Sequence, residues 1–307
     1  MGFWIVFLNV LVMLLFLSCG FFLVKAHKCE ASHAKSFSGF LLYICNPAMV
    51  INAFQSMEYS SESIGRLVSF FIATLLIQLL FFGILYGIFH RKYADAKYRI
   101  LTVGAIMGNV GFFGLPVVTA LFPEEPIAAC YSTMYIISMN LLVFTIGVFL
   151  ITNDRKFISV RSALVNPTTV ALLLALPLFL FHIQLPPFLG NAVALLGKMT
   201  TPICMVILGL RLSTISWKKL FTRPFVYAVC LLKLIVFPLF AYLCVCFLPG
   251  LDTTFKISLL VLSAAPSASV VLSLAELHEC EQELCANVAV LTTLCSIITL
   301  PLLLLIV

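Results

Sequence analysis

The chain has 307 residues, of which 63% are hydrophobic and only 10% are charged, and its mean hydropathy is +1.17. Soluble globular proteins contain about half apolar and about a quarter charged residues. This composition therefore excludes a soluble domain and indicates an integral membrane protein. The net charge of +6 does not require a nucleic-acid partner, because an uneven distribution of basic residues between the loops accounts for it.

Ten stretches of the chain are apolar and long enough to cross a bilayer, for which a helix needs roughly 20 residues. They lack the alternation of polar and apolar residues that is typical of spanning strands. We therefore predict an all-α membrane protein with ten transmembrane helices. In chain order the stretches cover residues 3–24, 37–54, 67–89, 100–122, 127–152, 167–181, 188–210, 224–247, 255–274 and 285–307.

Basic residues are concentrated in alternate loops. Loops one, three, five and seven hold fourteen of the eighteen Lys and Arg residues, and short loops rich in these residues stay on the cytoplasmic side. We therefore predict a multi-pass protein of the cell membrane, bacterial inner or plasma, with both termini on the outer side. The basic residues of these loops are Lys25, Lys28, Lys35, Arg91, Lys92, Lys97, Arg99, Arg155, Lys156, Arg161, Arg211, Lys218, Lys219 and Arg223.

The second and fourth stretches each contain an asparagine and a proline. The second includes ICNPAMVI, with Asn46 before Pro47, and the fourth includes GNVGFFGLP at residues 108–116. Proline removes a backbone donor and crowds the preceding turn, and glycine lowers the cost of non-helical backbone. We therefore predict that residues 108–116 interrupt the fourth helix. In hydrocarbon such a break is tolerable only where it faces protein or a watery cavity.

Similar segments recur in the second half of the chain. The seventh stretch contains TTPICMVI, with Thr201 and Pro202, and the ninth contains SAAPSASVV, with Pro266. Each segment lies five helices after its counterpart, so the two halves are predicted to form an inverted five-plus-five repeat with broken helices four and nine. The predicted repeats cover residues 1–153 and 166–307, joined by a cytoplasmic linker at residues 154–165.

Both interruptions are predicted to reach the middle of the membrane. At about 1.5 Å per residue, each lies roughly 15 Å from its entry point in a core about 30 Å thick. Because amino ends of half-helices attract anions and carbonyl ends attract cations, we predict a binding site where the breaks meet. The alternative is that the prolines only kink helices and the glycines only pack them, as we expect for Gly83 and Gly87. The predicted site residues from the two breaks are Asn109, Gly111, Gly114, Pro116, Pro266, Ser267 and Ser269.

Two lysines lie within apolar stretches. A base at this depth costs at least about 2.5 kcal/mol on insertion scales, so it faces a partner or a cavity unless its long stem reaches the membrane surface. If they stay buried, both lysines are natural counter-charges for a carboxylate. Asn140, in the fifth stretch, is expected to form a hydrogen bond between helices. The predicted substrate site therefore also includes Asn46, Lys198, Thr201, Pro202 and Lys233.

Two segments resemble the auxin efflux carrier family: NVGFFGLPVVTALF, at residues 109–122, and APSASVVLSLAELHECEQELCANVAVLTTLCSIITLP, at residues 265–301. The likeness extends to the number of stretches and to NPAMVI and TPICMVI. That family includes plant auxin carriers and bacterial transporters of small carboxylates such as malonate and malate. The resemblance implies a fold like that of the bile-acid sodium symporters, in which helices four and nine cross and a scaffold domain moves against the crossing domain.

By the same resemblance, Asn109, Gly114 and Pro116 match the first crossing helix and Pro266 matches the second. The long cytoplasmic loops of the plant members are absent, which favours the small-carboxylate branch over auxin. No Asp or Glu lies at the predicted crossing, so the sequence leaves a coupling ion, H⁺ or Na⁺, open.

The predicted function is secondary active transport of a small organic anion, a mono- or dicarboxylate, by alternating access. The open alternatives are a sodium-coupled carrier of bulkier amphipathic anions and a membrane sensor or channel that does not translocate its ligand. An enzyme is not expected, because the nucleotide-binding GxxxxGK[ST], HExxH and GxSxG motifs are missing from the sequence. No cofactor and no metal are expected. The expected partners are a small carboxylate and the lipid bilayer, without nucleic acid, and a homodimer is left open.

Overall fold

The computed structural model describes residues 2–214 and 224–306. Within those ranges the chain forms helices joined by short turns, so the predicted all-α fold is confirmed. Lys218, Lys219 and Arg223, which contribute to the predicted orientation, lie outside the described residues. The helices are α1 (Gly2–Lys25), α2 (Ala31–Gln55), α3 (Ser61–Lys92), α4a (Ala96–Ile106), α4b (Val110–Leu121), α5 (Ile127–Thr152), α6 (Arg155–Leu180), α7 (Pro187–Leu212), α8 (Pro224–Cys246), α9a (Thr253–Ser263), α9b (Ser269–Leu277) and α10 (Gln282–Leu303).

Eight of the helices within the described ranges are long and apolar enough to span a membrane. The shorter ones form two interrupted pairs, α4a with α4b and α9a with α9b. Both pairs begin with an aspartate cap: the Lys97 N–H donates to Asp95 at 3.1 Å, and the Phe255 N–H donates to Asp252 at 2.6 Å. These caps satisfy amide groups that have no acceptor inside the helix. The hydrogen bonds from Lys97 also hold the pKa of Asp95 below its ordinary value.

Wide helical turns accommodate three of the prolines. The π-type turns Leu41–Cys45, Val110–Gly114 and Leu232–Val236 are each followed, two residues later, by a proline inside a continuous helix. Proline lacks an N–H and crowds the carbonyl one turn back, and a widened turn removes that conflict. The prediction that the break extends to Pro116 is therefore wrong. The fourth segment is interrupted at residues 107–109, and Pro116 lies in the resumed helix α4b.

The two interruptions lie against each other. Residues 264–268, between α9a and α9b, run antiparallel to the break in the fourth segment. The Asn109 N–H donates to the Pro266 carbonyl at 2.7 Å, and the Ala268 N–H donates to the Met107 carbonyl at 2.9 Å. The contact predicted between the breaks is therefore present. Some backbone groups at the breaks have no hydrogen-bond partner inside their own helices. The contact supplies that partner away from water.

Two glycines bring α1 and α7 into direct backbone contact. A Cβ added to Gly209 would lie 2.0 Å from the Leu17 carbonyl oxygen, and one added to Gly20 would lie 2.1 Å from a backbone oxygen of α7. By contrast, a Cβ on Gly83 or Gly87 would meet nothing within 4 Å. The packing role expected for Gly83 and Gly87 is therefore wrong, because these residues lie on an open face of α3. Small residues serve close helix packing only where they face another helix.

We expect Gly209→Ala to lower the melting temperature of the purified protein, because its Cβ would collide with the backbone of α1. Separating the two helices should cost about 1–3 kcal/mol or more. Gly83→Ala is the matched control, since alanine is favoured over glycine in a helix and nothing obstructs it there. Thermal unfolding of both variants in the same detergent checks this, and equal melting temperatures would contradict the proposed contact.

Candidate functional site

A cavity of about 160 Å³ lies beside the crossing, between α2, α5, α6, α4b and α9b. We call it the crossing cavity. Its lining is mostly apolar, and none of the described residues that line it is charged. A mostly apolar pocket with a few polar groups is typical of a small-molecule site. The polar side chains that line it are Asn46, Asn109, Asn140, Asn166, Thr168 and Ser269.

Two helices begin at this cavity. Val110 and Gly111 at the start of α4b, and Ser269 and Val270 at the start of α9b, are among its lining residues. The first amide groups of a helix have no acceptor inside it, and the helix dipole places roughly half a positive charge there. The two helix starts therefore contribute partial positive charge at the cavity, although its described lining includes no basic side chain.

Three asparagine side chains in the cavity have unused hydrogen-bonding capacity. Asn46 Nδ2 donates to Thr168 Oγ1 at 2.7 Å, whereas its Oδ1 is buried without a partner among the described residues. Asn109 Nδ2 reaches only the Cys204 sulfur, at 4.0 Å. The Asn140 side chain makes no hydrogen bond within residues 2–214 and 224–306. An amide offers two donors and an acceptor, so these groups are available to a ligand.

Lys233 lies behind the crossing and does not line the cavity. Its side chain is fully buried, and Nζ donates to the carbonyls of Ile106 at 3.2 Å and Ser263 at 3.0 Å. These are the last residues of α4a and α9a. The ammonium also lies 4.8 Å from the centre of the Phe237 ring. The lysine that the sequence predicts as a counter-charge for substrate thus contacts the carbonyl ends of both interrupted helices.

Ser267 and Pro266 hold the crossing together. The Ser267 hydroxyl donates to the Gly104 carbonyl at 2.7 Å, and the Ser267 N–H is not available to a ligand because it donates to Thr292 Oγ1 at 3.1 Å. The Pro266 carbonyl is already bonded to the backbone of the other break. Neither residue lines the crossing cavity. Both support its walls by fixing the break that precedes α9b.

The remaining predicted residues lie around a different cavity of about 510 Å³, bounded by α1, α2, α4b and α7. We call it the second cavity. Glu125 also lines the second cavity. Gly114 is the exception among these remaining predicted residues, because it lines neither cavity. A Cβ added to Gly114 would lie 2.9 Å from Leu262. The structure thus divides the predicted site between two cavities and the crossing itself. The predicted residues that line the second cavity are Pro116, Lys198, Thr201 and Pro202.

A third cavity of about 140 Å³ continues from the crossing cavity, with which it shares Ser269. It extends along α2 and α7 to Arg211, the basic residue near the end of α7. Arg211 Nη2 lies 3.2 Å from Glu276 at the end of α9b. A chain of cavities thus leads from the crossing to a charged group near the helix ends.

The comparison with known proteins now decides the family. Residues 5–304 match the family described as "Membrane transport protein". The chain belongs to this family. It is also similar to a protein of Methanocaldococcus jannaschii named "Uncharacterized transporter MJ1031", with 27% identity over 302 residues that cover 95% of this chain and 96% of that protein. Membership in the membrane transport protein family confirms the resemblance to the auxin efflux carriers. The family consists of multi-pass membrane transporters rather than enzymes.

Sequence reasoning omitted three polar residues of the crossing cavity from the site: Asn140, Asn166 and Thr168. Asn140 was expected to bond between helices and instead faces the cavity. A signal for Asn166 was present in the sequence. The dipeptide Asn-Pro occurs at residues 46–47 and again at 166–167, and the asparagines of both copies line the crossing cavity.

We expect Thr292→Val to destabilise the crossing. The isosteric valine leaves the buried Ser267 N–H without its acceptor, which costs about 1–3 kcal/mol. Thr293→Val is the matched control, because the Thr293 hydroxyl donates only to Ala289 in its own helix. The melting temperature should fall further for Thr292→Val than for Thr293→Val, and the reverse order would contradict the supporting role of Thr292.

Proposed function

We propose that the protein is a secondary active transporter that moves a small organic anion, a mono- or dicarboxylate, across the cell membrane by alternating access. The carboxylate binds in the crossing cavity, at the starts of α4b and α9b. The single observation that carries this proposal is the distribution of charge around the crossing: two helix starts face the cavity, and two helix ends face Lys233.

The charges balance on one side of the crossing and not on the other. Each helix end carries roughly half a charge, so the carbonyl ends of α4a and α9a together match the single charge of the Lys233 ammonium. The two amino ends at the cavity together amount to about one positive charge. No described residue of the cavity lining supplies a carboxylate against it. A substrate with one carboxylate at this position completes the balance.

The polar side chains supply the contacts that such a substrate needs. Asn109 and Asn140 face the cavity with amide N–H groups that can donate to a ligand, and Ser269 adds a hydroxyl. Hydrogen bonds to an ionised acceptor are stronger than those between neutral groups, so a carboxylate gains from each donor. The volume of about 160 Å³ favours a small acid over a bulky amphipathic anion.

The positions of the crossing cavity and the second cavity support alternating access. The crossing cavity reaches the start of α4b, and the second cavity reaches Pro116 further along the same helix. We infer that they are approaches from opposite sides of the membrane. In this view Lys198 and Thr201 contact the anion on one side of the crossing, and Arg211 attracts it on the other.

We also infer the finer topology. Counting each interrupted pair as one span gives ten spans in an inverted repeat, with residues 1–153 and 166–307 as its halves and both termini outside. The antiparallel contact of the two breaks supports this arrangement, as does the common contact of Lys233 with the ends of α4a and α9a. No ATP-binding motif occurs in the sequence, so an ion gradient or the membrane potential drives transport.

We expect purified protein in liposomes to take up or exchange radiolabelled malate, malonate or a similar small acid. Asn109→Ala should reduce uptake by about tenfold or more, since a donor to a charged group contributes roughly 1.5–3 kcal/mol. Asn191→Ala is the control, because Asn191 is exposed on α7 and lines none of these cavities. Uptake of none of these acids, or equal uptake by both variants, would contradict the proposal.

A further inference from the structure

The carbonyl ends of α4a and α9a form a site with the chemistry of a cation site. The Ile106 and Ser263 carbonyls converge on one point, which the Lys233 ammonium occupies at 3.2 and 3.0 Å. In transporters with interrupted helices, unwound carbonyls and helix ends are the groups that coordinate Na⁺. Here a side chain supplies the cation.

The ammonium contacts both helix ends and an aromatic ring. It has three donors: two reach the carbonyls and the Phe237 ring lies beside it at 4.8 Å. Among the described residues no carboxylate lies within ion-pair distance of Lys233. The helix ends are therefore its electrostatic partners. Gly108 leaves room for it, since a Cβ at that residue would lie 2.9 Å from Nζ.

Lys233 is also well placed to set the geometry of the substrate site. The carbonyls that it contacts belong to the last residues before the two breaks, and the helix starts that line the crossing cavity follow directly after those breaks. Holding the two helix ends at a fixed separation fixes the backbone that leads into α4b and α9b. Its effect on the anion is thus indirect, through the backbone.

We propose that Lys233 is a tethered cation: its ammonium takes the place of a small monovalent cation at the crossing, so that the crossing assembles and binds its anion without Na⁺. The inference rests on the proposed function for its consequence in transport. Lys233 is a positioning residue, and the site that it occupies would accept a free cation of similar size once the side chain is removed.

Thermal unfolding of the purified protein tests the site without any substrate. Lys233→Ala should melt at a lower temperature in choline chloride and recover in methylammonium chloride of the same ionic strength, because methylammonium fits the vacated volume and choline does not. The wild type should melt equally in both salts. Lys198→Ala, which alters the other intramembrane lysine, should show no recovery.

Lys233→Met separates the charge from the volume. Methionine fills the space of the stem without an ammonium, so this variant should be destabilised and methylammonium should not restore it. If Lys233 acted only by packing, Lys233→Met would be as stable as the wild type, which would overturn the proposal. Failure of Lys233→Ala to respond to methylammonium would overturn it as well.

Uptake measurements test the consequence for transport. Replacing Na⁺ by choline should change wild-type uptake by less than about twofold, whereas Lys233→Ala should lose about tenfold or more and regain activity in methylammonium. Stabilisation of the wild type by Na⁺, or uptake that requires Na⁺, would overturn the tethered cation, even if Lys233→Ala cannot be purified. If the wild type transports no small acid, the proposed function fails, whereas the melting experiment still decides the role of Lys233.

Discussion

The pairing of two interrupted backbones is the constraint on which the rest of the structure depends. A break in a helix within hydrocarbon leaves amide and carbonyl groups that each cost several kcal/mol without a partner. Here the two breaks supply partners to each other, through the Asn109 N–H and the Ala268 N–H. Ser267 adds bonds to α4a and α10. Each break therefore depends on the other for these backbone partners, and the four helix ends at the crossing form one set.

The helix ends at the crossing are arranged so that the carbonyl ends and the amino ends face different regions. The carbonyl ends of α4a and α9a face Lys233, and the amino ends of α4b and α9b face a cavity whose polar lining residues are neutral. In the tethered-cation proposal, the Lys233 ammonium neutralises the carbonyl ends, while the partial positive charge on the cavity side comes from the backbone. In the proposed function, backbone amides and asparagine side chains hold the anion, so its release does not require separation from a fixed charged side chain.

The sequence was sufficient for the all-α class, the two interruptions and the family, because composition and Gly-Pro segments report these directly. It was insufficient wherever the answer depends on what a residue faces. The widened turn before Pro116 depends on a backbone hydrogen-bonding pattern that cannot be predicted from the residue types. The cost of burying Lys233 was evident, but its partners are carbonyls, which are present in every residue. Glycine spacing pointed to α3, whereas the glycines in helix contact belong to α1 and α7.

The backbone contact of α1 with α7 limits which parts of the molecule can move. With the Cβ position of Gly209 only 2.0 Å from the Leu17 oxygen, the two helices interlock, and sliding one along the other would first require them to separate. Shear motions take place between surfaces of side chains that can repack. We therefore expect the first and seventh helices to stay together as a rigid pair if the helices of this protein move against one another.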